Sequence, residues 1–317
     1  MVDIDKLDDR FGIEGELGFC EIDGDLIAMT IYNKFADVEI CLYGAHITRY
    51  MPHGSFDVLW MSPDSFFEVG KPIRGGIPLC FPWFGPHPSD TSKPAHGFAR
   101  LMYWDVVETT SLESGETRVK LQLVSNEETK AYWPFDFKAV LEVLVGRTLE
   151  VQLSITNTGS QDFDYSAALH SYFGVSGIEN INIQGLQGAR YYNGFDTSLN
   201  TQETELLEIH QEENRRYIDT SSDCVIEDPV FNQAIRISKK GSNVTVVWNP
   251  WEETSSKMED LPDDGYEAFV CVEAVNAYND IVQLRPGEEH TTATTIGFDY
   301  RMSEMGLGKS NGGFKVI

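Results

Sequence analysis

Apolar residues in this 317-residue chain come in short runs rich in Val, Ile, Tyr and Phe, punctuated by Gly, Pro, Asn and Asp. Helical periodicity is scarce, so the chain must bury its apolar side chains mainly by pairing strands. Residues 25–50 alternate as two strands around Asn33-Lys34, and 55–62 continues with Val58-Leu59-Trp60. Trp104–Thr110 and Arg118–Val124 read as a hairpin across the polar stretch 111–117. Residues 137–145 (FKAVLEVLV) and 148–156 (TLEVQLSIT) face each other across Gly146-Arg147, a two-residue hairpin signal. Further runs occupy 163–175, 180–184 and 189–192, then 231–237, 243–249, 268–275, 281–284 and 290–298, whereas the polar stretch 201–223 reads as exposed loop with short pieces of strand. Many short strands at roughly regular spacing specify an all-β sandwich or barrel. Nothing marks a linker or repeat, so 1–317 reads as one large domain. Its tail from Arg301, with Gly306, Gly308, Gly312 and Gly313, is expected to be mobile or to lie on the surface.

One stretch breaks the pattern. Residues 73–100, IRGGIPLCFPWFGPHPSDTSKPAHGFAR, carry Pro78, Pro82, Pro86, Pro88 and Pro94 with Phe81, Trp83 and Phe84 interleaved. Five prolines rule out a long helix and disfavour a central strand. The result is a stiff, aromatic-lined loop with Arg74 near one end and Arg100 at the other, better suited to wall a pocket than to build a core.

Charge narrows the partners. Fifty acidic residues against 24 basic ones give a formal charge of −26, which disfavours nucleic acid and anionic membrane surfaces. A local pair of arginines then becomes notable, because a phosphorylated ligand needs one. Self-repulsion also favours a monomer. No basic stretch leads into an apolar run at the N-terminus, and no window approaches 18 consecutive apolar residues, so neither a secretory signal nor a membrane helix is expected. Cys20, Cys41, Cys80, Cys224 and Cys271 are scattered and never in a CxxC pair, which reads as reduced thiols in a cytoplasmic protein and fails as a zinc site.

Residues that could carry chemistry are separated in sequence. The seven histidines show no HxH pair and no HExxH, and the chain has no GxSxG elbow, phosphate-binding P-loop or GxGxxG. His170 lies in the strand-like run Ala167–Phe173, where a satisfied core histidine is the simpler reading of the residues alone. Glu273 lies in the apolar run Phe269–Ala274 and shares a strand face with Phe269 and Cys271. An acid there is costly to bury unless paired or functional, and burial would raise its pKa toward neutral, as a general base requires. His96 has the reading of an ordinary loop histidine beside that of a ligand contact. Arg74 and Arg100 are either paired with nearby acids or free to bind phosphate in bidentate fashion. Trp83, Trp248 and Trp251 offer flat faces for a sugar ring or for the core.

Taken together, IRGGIPLCFPWFG (73–85), HGFAR (96–100), LHSYF (169–173), VVWNPW (246–251) and DGYEAFVCVEA (264–274) are more specific than any one of them. In that order they resemble the hexose-6-phosphate mutarotases, the glucose-6-phosphate 1-epimerase group of the aldose 1-epimerase superfamily. The resemblance runs from about Gly44-Ala45-His46 to the LRPGE segment at 284–288. It implies a large antiparallel β-sandwich of the galactose mutarotase-like type with an open cleft on one concave sheet. It also implies His170 as general acid, Glu273 as general base, His96 in the sugar pocket, and Arg74 and Arg100 on a 6-phosphate. No metal or redox cofactor is implied. Where the family has a segment resembling EVDRxY, this chain has Glu213-Asn214-Arg215-Arg216-Tyr217, so either Asn214 replaces an acid at the sugar hydroxyls or Asp219 does that work. The activity implied is interconversion of the α and β anomers of a hexose 6-phosphate. Alternatives are an aldose 1-epimerase of free sugars and a non-catalytic carbohydrate-binding protein.

Overall fold

The computed structural model describes residues 3–194 and 196–300, the last two by backbone alone; the tail from Arg301 lies outside the described residues. In chain order the first strands are β1 (Leu17–Ile22), β2 (Leu26–Tyr32), β3 (Ala36–Cys41), β4 (His46–Pro52), β5 (Leu79–Cys80), β6 (Asp105–Ser111) and β7 (Thr117–Val124). They are followed by β8 (Phe137–Val145), β9 (Thr148–Asn157), β10 (Phe163–Tyr165), β11 (Ala167–Leu169), β12 (Tyr172–Gly174), β13 (Asn182–Gln184), β14 (Arg190–Asn193) and β15 (Asn200–Thr201). The last are β16 (Glu213–Ile218), β17 (Cys224–Asp228), β18 (Gln233–Lys240), β19 (Val244–Asn249), β20 (Phe269–Asn276), β21 (Val282–Leu284) and β22 (Glu289–Tyr300). Three short helices, at Ile4–Phe11, Glu127–Tyr132 and Trp251–Ser255, accompany them. None is long and apolar enough to cross a membrane.

Two eight-stranded antiparallel sheets form the sandwich. One runs β13-β17-β18-β22-β9-β8-β7-β6; the other runs β15-β14-β16-β19-β20-β11-β5, with β12 also paired to β20. Successive side chains on a strand point to opposite faces. In β8 this buries Phe137, Ala139, Leu141, Val143 and Val145, and in β9 Leu149, Val151, Leu153 and Ile155. From the facing sheet Val270, Val272 and Ala274 of β20 and Ala167 and Leu169 of β11 join the same core cluster. β20 is buried on both faces along its whole length. Its other face, carrying Cys271, Glu273 and Val275, therefore looks into covered space on the far side from the sandwich core.

The structure departs from the sequence reading in informative places. Residues 25–50 make three strands, not two, because Gly44 and Ala45 turn the chain at φ 82° and 45° between β3 and β4. Residues 55–62 make only single bridges, Leu59 to Phe173 and Met61 to Gly75. The run 163–175 breaks into β10, β11 and β12. In the 137–157 hairpin the last facing pair is Val145–Leu149, which leaves a three-residue connection. β1, β17 and the N-terminal helix, capped by Asp3, carry no pattern that the sequence reading detected.

The proline loop is the larger correction. It enters the sheet through β5, which pairs with β11, and it builds core as well as pocket wall. Phe81 and Phe98 are fully buried. Phe81 meets Phe98, Trp133, Phe137 and Tyr165 edge to face at centroid separations of 5.2–6.4 Å. Burial is tolerated because the backbone groups find partners. The Phe81 and His96 N–H groups donate to the His96 and Gly85 carbonyls, and the Ser166 and His170 N–H groups donate to Pro82 and Pro78. Phe84 turns instead to the outer face, beside His96 and His170.

Phe81→Ala is expected to cost about 3–5 kcal/mol, as for a large aromatic removed from a filled core. Phe84→Ala should cost less than half of that. Urea unfolding of both variants checks the difference, and equal losses would refute this division of the loop.

Candidate active site

Glu273 is set by β20. His170 is the first residue past β11, and its N–H donates to the Pro78 carbonyl, so the β11–β20 register carries one step further and brings the two side chains together. His170 Nε2 lies 3.4 Å from Glu273 Oε1. They are 8% and 2% exposed. Among the described residues His170 Nδ1 and Glu273 Oε2 have no partner. Buried polar atoms are almost always satisfied, so two orphans in one pair set it apart from the rest of the sheet.

Burial pushes the Glu273 carboxyl well above the usual carboxylate range. Burial also pulls His170 well below its ordinary value, helped by the nearby His96, Arg74 and Arg100. A neighbouring carboxylate alone would raise the His170 pKa, but burial outweighs it here. With the pair dry and cations close by, the proton resides on Glu273 and the imidazole is neutral.

His96 closes the proline loop at φ 63°, a region non-glycine residues seldom occupy. The next residue must be glycine: a Cβ on Gly97 would stand 2.0 Å from the Phe81 carbonyl oxygen. The His96 Nδ1 accepts from the Gly85 N–H at 3.3 Å and lies 3.4 Å from Cys80 Sγ. Burial, with Arg100 and Arg74, lowers its pKa to about 3. The ring is thus neutral with its proton on Nε2, a donor 5.6 Å (centroid to centroid) from the His170 ring.

Arg74 is fixed by two partners. Its Nε and Nη2 donate to Asp260 Oδ2 at 3.1 and 3.0 Å, and its Nη1 donates to the Tyr172 hydroxyl at 3.0 Å. The glycines after it are required: a Cβ on Gly76 would lie 2.1 Å from the Ile47 carbonyl oxygen. His46, buried and lowered to about pKa 4 by desolvation, sits 2.7 Å from the Gly75 carbonyl and supports the turn as a neutral donor. Arg100 has no carboxylate partner among the described residues. Its Nη2 donates to the Ala95 carbonyl at 2.9 Å, its Nε is buried and unpartnered, and burial lowers its pKa.

Asn214 and Asp219 separate cleanly. Asn214 lies opposite Trp248 in register, on the sheet face that carries Glu273. Asp219 lies beyond the end of β16, half-exposed, in an ion pair with Arg190 at 2.6 Å, and it accepts from Asn279. The structure therefore brings together His170, Glu273, His96, Arg74, Arg100 and, further along the sheet, Asn214. Trp248 stands edge-on to His170 at 5.9 Å, whereas Trp83 and Trp251 pack into or against the core. Sequence reasoning missed Asp260 and the hydroxyl of Tyr172, because nothing local marks an acid that meets an arginine 186 residues away.

An acid–base pair on the outer face of one sheet, flanked by arginines and neutral histidine donors, sits on a sandwich of the galactose mutarotase-like type. A Lactobacillus acidophilus galactose mutarotase-related structure shares that fold at a TM-score of 0.69 and 16% identity, over 88% of this chain and all of its own. The chain belongs to the aldose 1-epimerase family, whose model matches residues 28–297. It is 34% identical over 254 residues to a Salmonella typhimurium protein named as a candidate glucose-6-phosphate 1-epimerase, covering 80% of this chain and 84% of that one. The crystal structure of a candidate mutarotase from the same organism superimposes at a TM-score of 0.85 with 31% identity, over 92% of this chain and 96% of that one.

A carboxyl whose folded pKa is raised contributes stability below its unfolded value of about 4.5 and loses that contribution as pH rises toward its folded value. Glu273→Gln removes the ionisation. The variant should therefore melt above the parent at pH 7–8, with the gap closing toward pH 4.5. Melting temperatures across that range test it; a variant that melts lower at pH 8 contradicts the assigned burial cost.

Proposed function

We propose that the protein interconverts the α and β anomers of a hexose 6-phosphate, glucose 6-phosphate being the reference substrate. The observation that carries this reading is the buried His170–Glu273 pair, 3.4 Å apart, with an unpartnered polar atom on each side and Arg74 and Arg100 within electrostatic reach.

In this reading the phosphate dianion docks against Arg74 and Arg100. Its charge offsets the cations that hold the His170 pKa down, so the proton moves from Glu273 to His170 as substrate binds. His170 then gives that proton to the ring oxygen while the Glu273 carboxylate takes the proton of the C1 hydroxyl, and the C1–O5 bond breaks to give the open aldehyde. Rotation about C1–C2 presents the other face. On closure the C5 hydroxyl attacks C1 and returns its proton to His170, and Glu273 returns its own to the former carbonyl oxygen. Each proton lent is recovered, and one acid and one base suffice. A well-placed acid or base contributes roughly 10²–10⁴-fold, a modest demand suited to a reaction that already proceeds in water. His96 Nε2–H and Asn214 supply hydrogen bonds to the sugar. A reducing cytoplasm suits a chain whose five cysteines are all unpaired.

The test is anomer exchange followed by NMR. His170→Ala and Glu273→Gln should each lower the rate by about 10² or more. Arg74→Ala should impair glucose 6-phosphate and spare glucose, and inorganic phosphite bound at the arginines should accelerate the reaction of free glucose by favouring transfer of the Glu273 proton to His170. Full rates in both dyad variants, or tight sugar-phosphate binding with no acceleration, would reject the reading; the second outcome describes a binding protein.

A further inference from the structure

One register row crosses the outer face of the sheet. Tyr192 faces Arg216, Arg216 faces Val246, and Val246 faces Glu273. Residues in register on neighbouring antiparallel strands share a face. Arg216 therefore emerges on the same side as Glu273, two strand spacings or about 10 Å away along the sheet. Only Val246, short and buried, stands between them. Arg74 approaches from the other direction, held by Tyr172 on β12, which pairs with β20 along its opposite edge.

Among the described residues Arg216 has no carboxylate partner. Arg74, Arg190 and Arg215 each hold one at 3.0 Å or less. Arg216 instead places its guanidinium 4.8 Å from the Tyr278 ring centroid and 5.7 Å from that of Tyr192. Its Nη2 makes one long bond, 3.4 Å, to the Asp196 carbonyl, and its Nε is buried without a partner. Tyr278 holds a left-handed φ of 62°, a costly conformation for an aromatic residue that surrounding contacts must impose. Its ring meets Phe84, which in turn meets His170, at centroid distances of 6.1 and 6.5 Å. In a chain of charge −26, a cation without a carboxylate, with aromatic rings over its guanidinium, is a donor arranged for something that arrives from outside.

We propose that Arg216 is a specificity-determining residue that faces the C2 substituent of the sugar, accepting a hydroxyl there and rejecting an ammonium. The proposal rests on the hexose 6-phosphate reading. With the phosphate at Arg74 and Arg100 and C1 at the His170–Glu273 pair, the ring runs from C1 through O5 toward the phosphate and through C2 away from it, toward Arg216. A hydroxyl accepts a hydrogen bond from the guanidinium; an ammonium has no acceptor and meets a like charge. Asn214, on the same face one pleat along, is neutral and does not reverse that polarity.

The experiment measures kcat/KM for anomer exchange of glucose 6-phosphate and of glucosamine 6-phosphate at pH 6.5, for the wild type, Arg216→Gln and Arg216→Glu. The wild type should prefer glucose 6-phosphate by about tenfold or more. Arg216→Glu should erase or invert that preference, largely through a gain with the amino sugar. Circular dichroism confirms folding, and Arg216→Gln, which removes the charge without adding another, should narrow the ratio if the Glu variant does not fold. A folded Gln variant that still turns over glucose 6-phosphate with an unchanged ratio overturns this assignment alone. A wild type that does not accelerate glucose 6-phosphate exchange overturns the functional reading beneath it, and that result is visible before any Arg216 variant is made.

Discussion

Everything about this cleft follows from taking a carboxyl and an imidazole out of water together. Glu273 is 2% exposed, with apolar neighbours on both sides of it along β20, and no other polar group among the described residues meets its Oε2. Such burial is costly unless the charged state is avoided or compensated. Here it is avoided: the carboxyl keeps its proton and His170 stays neutral. That neutral state is a poised one. It takes only an added negative charge near Arg74 and Arg100 to favour moving one proton across 3.4 Å. The same desolvation that lowers stability gives a carboxyl and a histidine pKa values that depend on what occupies the cleft.

Rigidity around the pair comes from the proline loop and from the sheet, in different ways. β20 and β11 fix the backbones of Glu273 and His170 to within a register step. The loop fixes the arginines and His96 through contacts that no side chain but glycine allows, at Gly76 under Arg74 and at Gly97 after His96. Phe81 anchors the loop in the sandwich core while Phe84, three residues on, faces the cleft. Asp260 then locks Arg74 with both Nε and Nη2, an arrangement that trades rotamer freedom for a fixed cation.

What the sequence made legible was the part written in local pattern. The alternation in 137–157 gave the hairpin to within a residue, and the odd-numbered face of β20 placed Glu273 beside Cys271, as found. Arg74 and Arg100 could be named from the loop, but not the Asp260 carboxylate that orients one of them, because the contact spans 186 residues. The direction of the His170 pKa could not be had either. One carboxylate neighbour argues upward, and only the assembled site shows burial and three basic neighbours arguing downward. Arg216 was invisible as a cleft residue for a similar reason: its sharing a sheet face with Glu273 depends on the registers of two strand pairs, and its ring contacts on a left-handed Tyr278.

The acidity of the whole chain gives the local cations their meaning. At −26 overall, the long-range field repels a phosphate dianion rather than steering it inward. Discrimination must then arise within a Debye length, about 8 Å at physiological salt, where the buried arginines outweigh the distant acids. Pairing is unequal among those arginines. Arg74 is neutralised in part by Asp260, whereas Arg100 and Arg216 keep a buried, unsatisfied Nε each, on opposite sides of β20. A cleft with an uncompensated cation on either side of its acid–base pair orients a ligand that is anionic at one end and rich in acceptors at the other. In the proposed reaction a hexose 6-phosphate has that polarity.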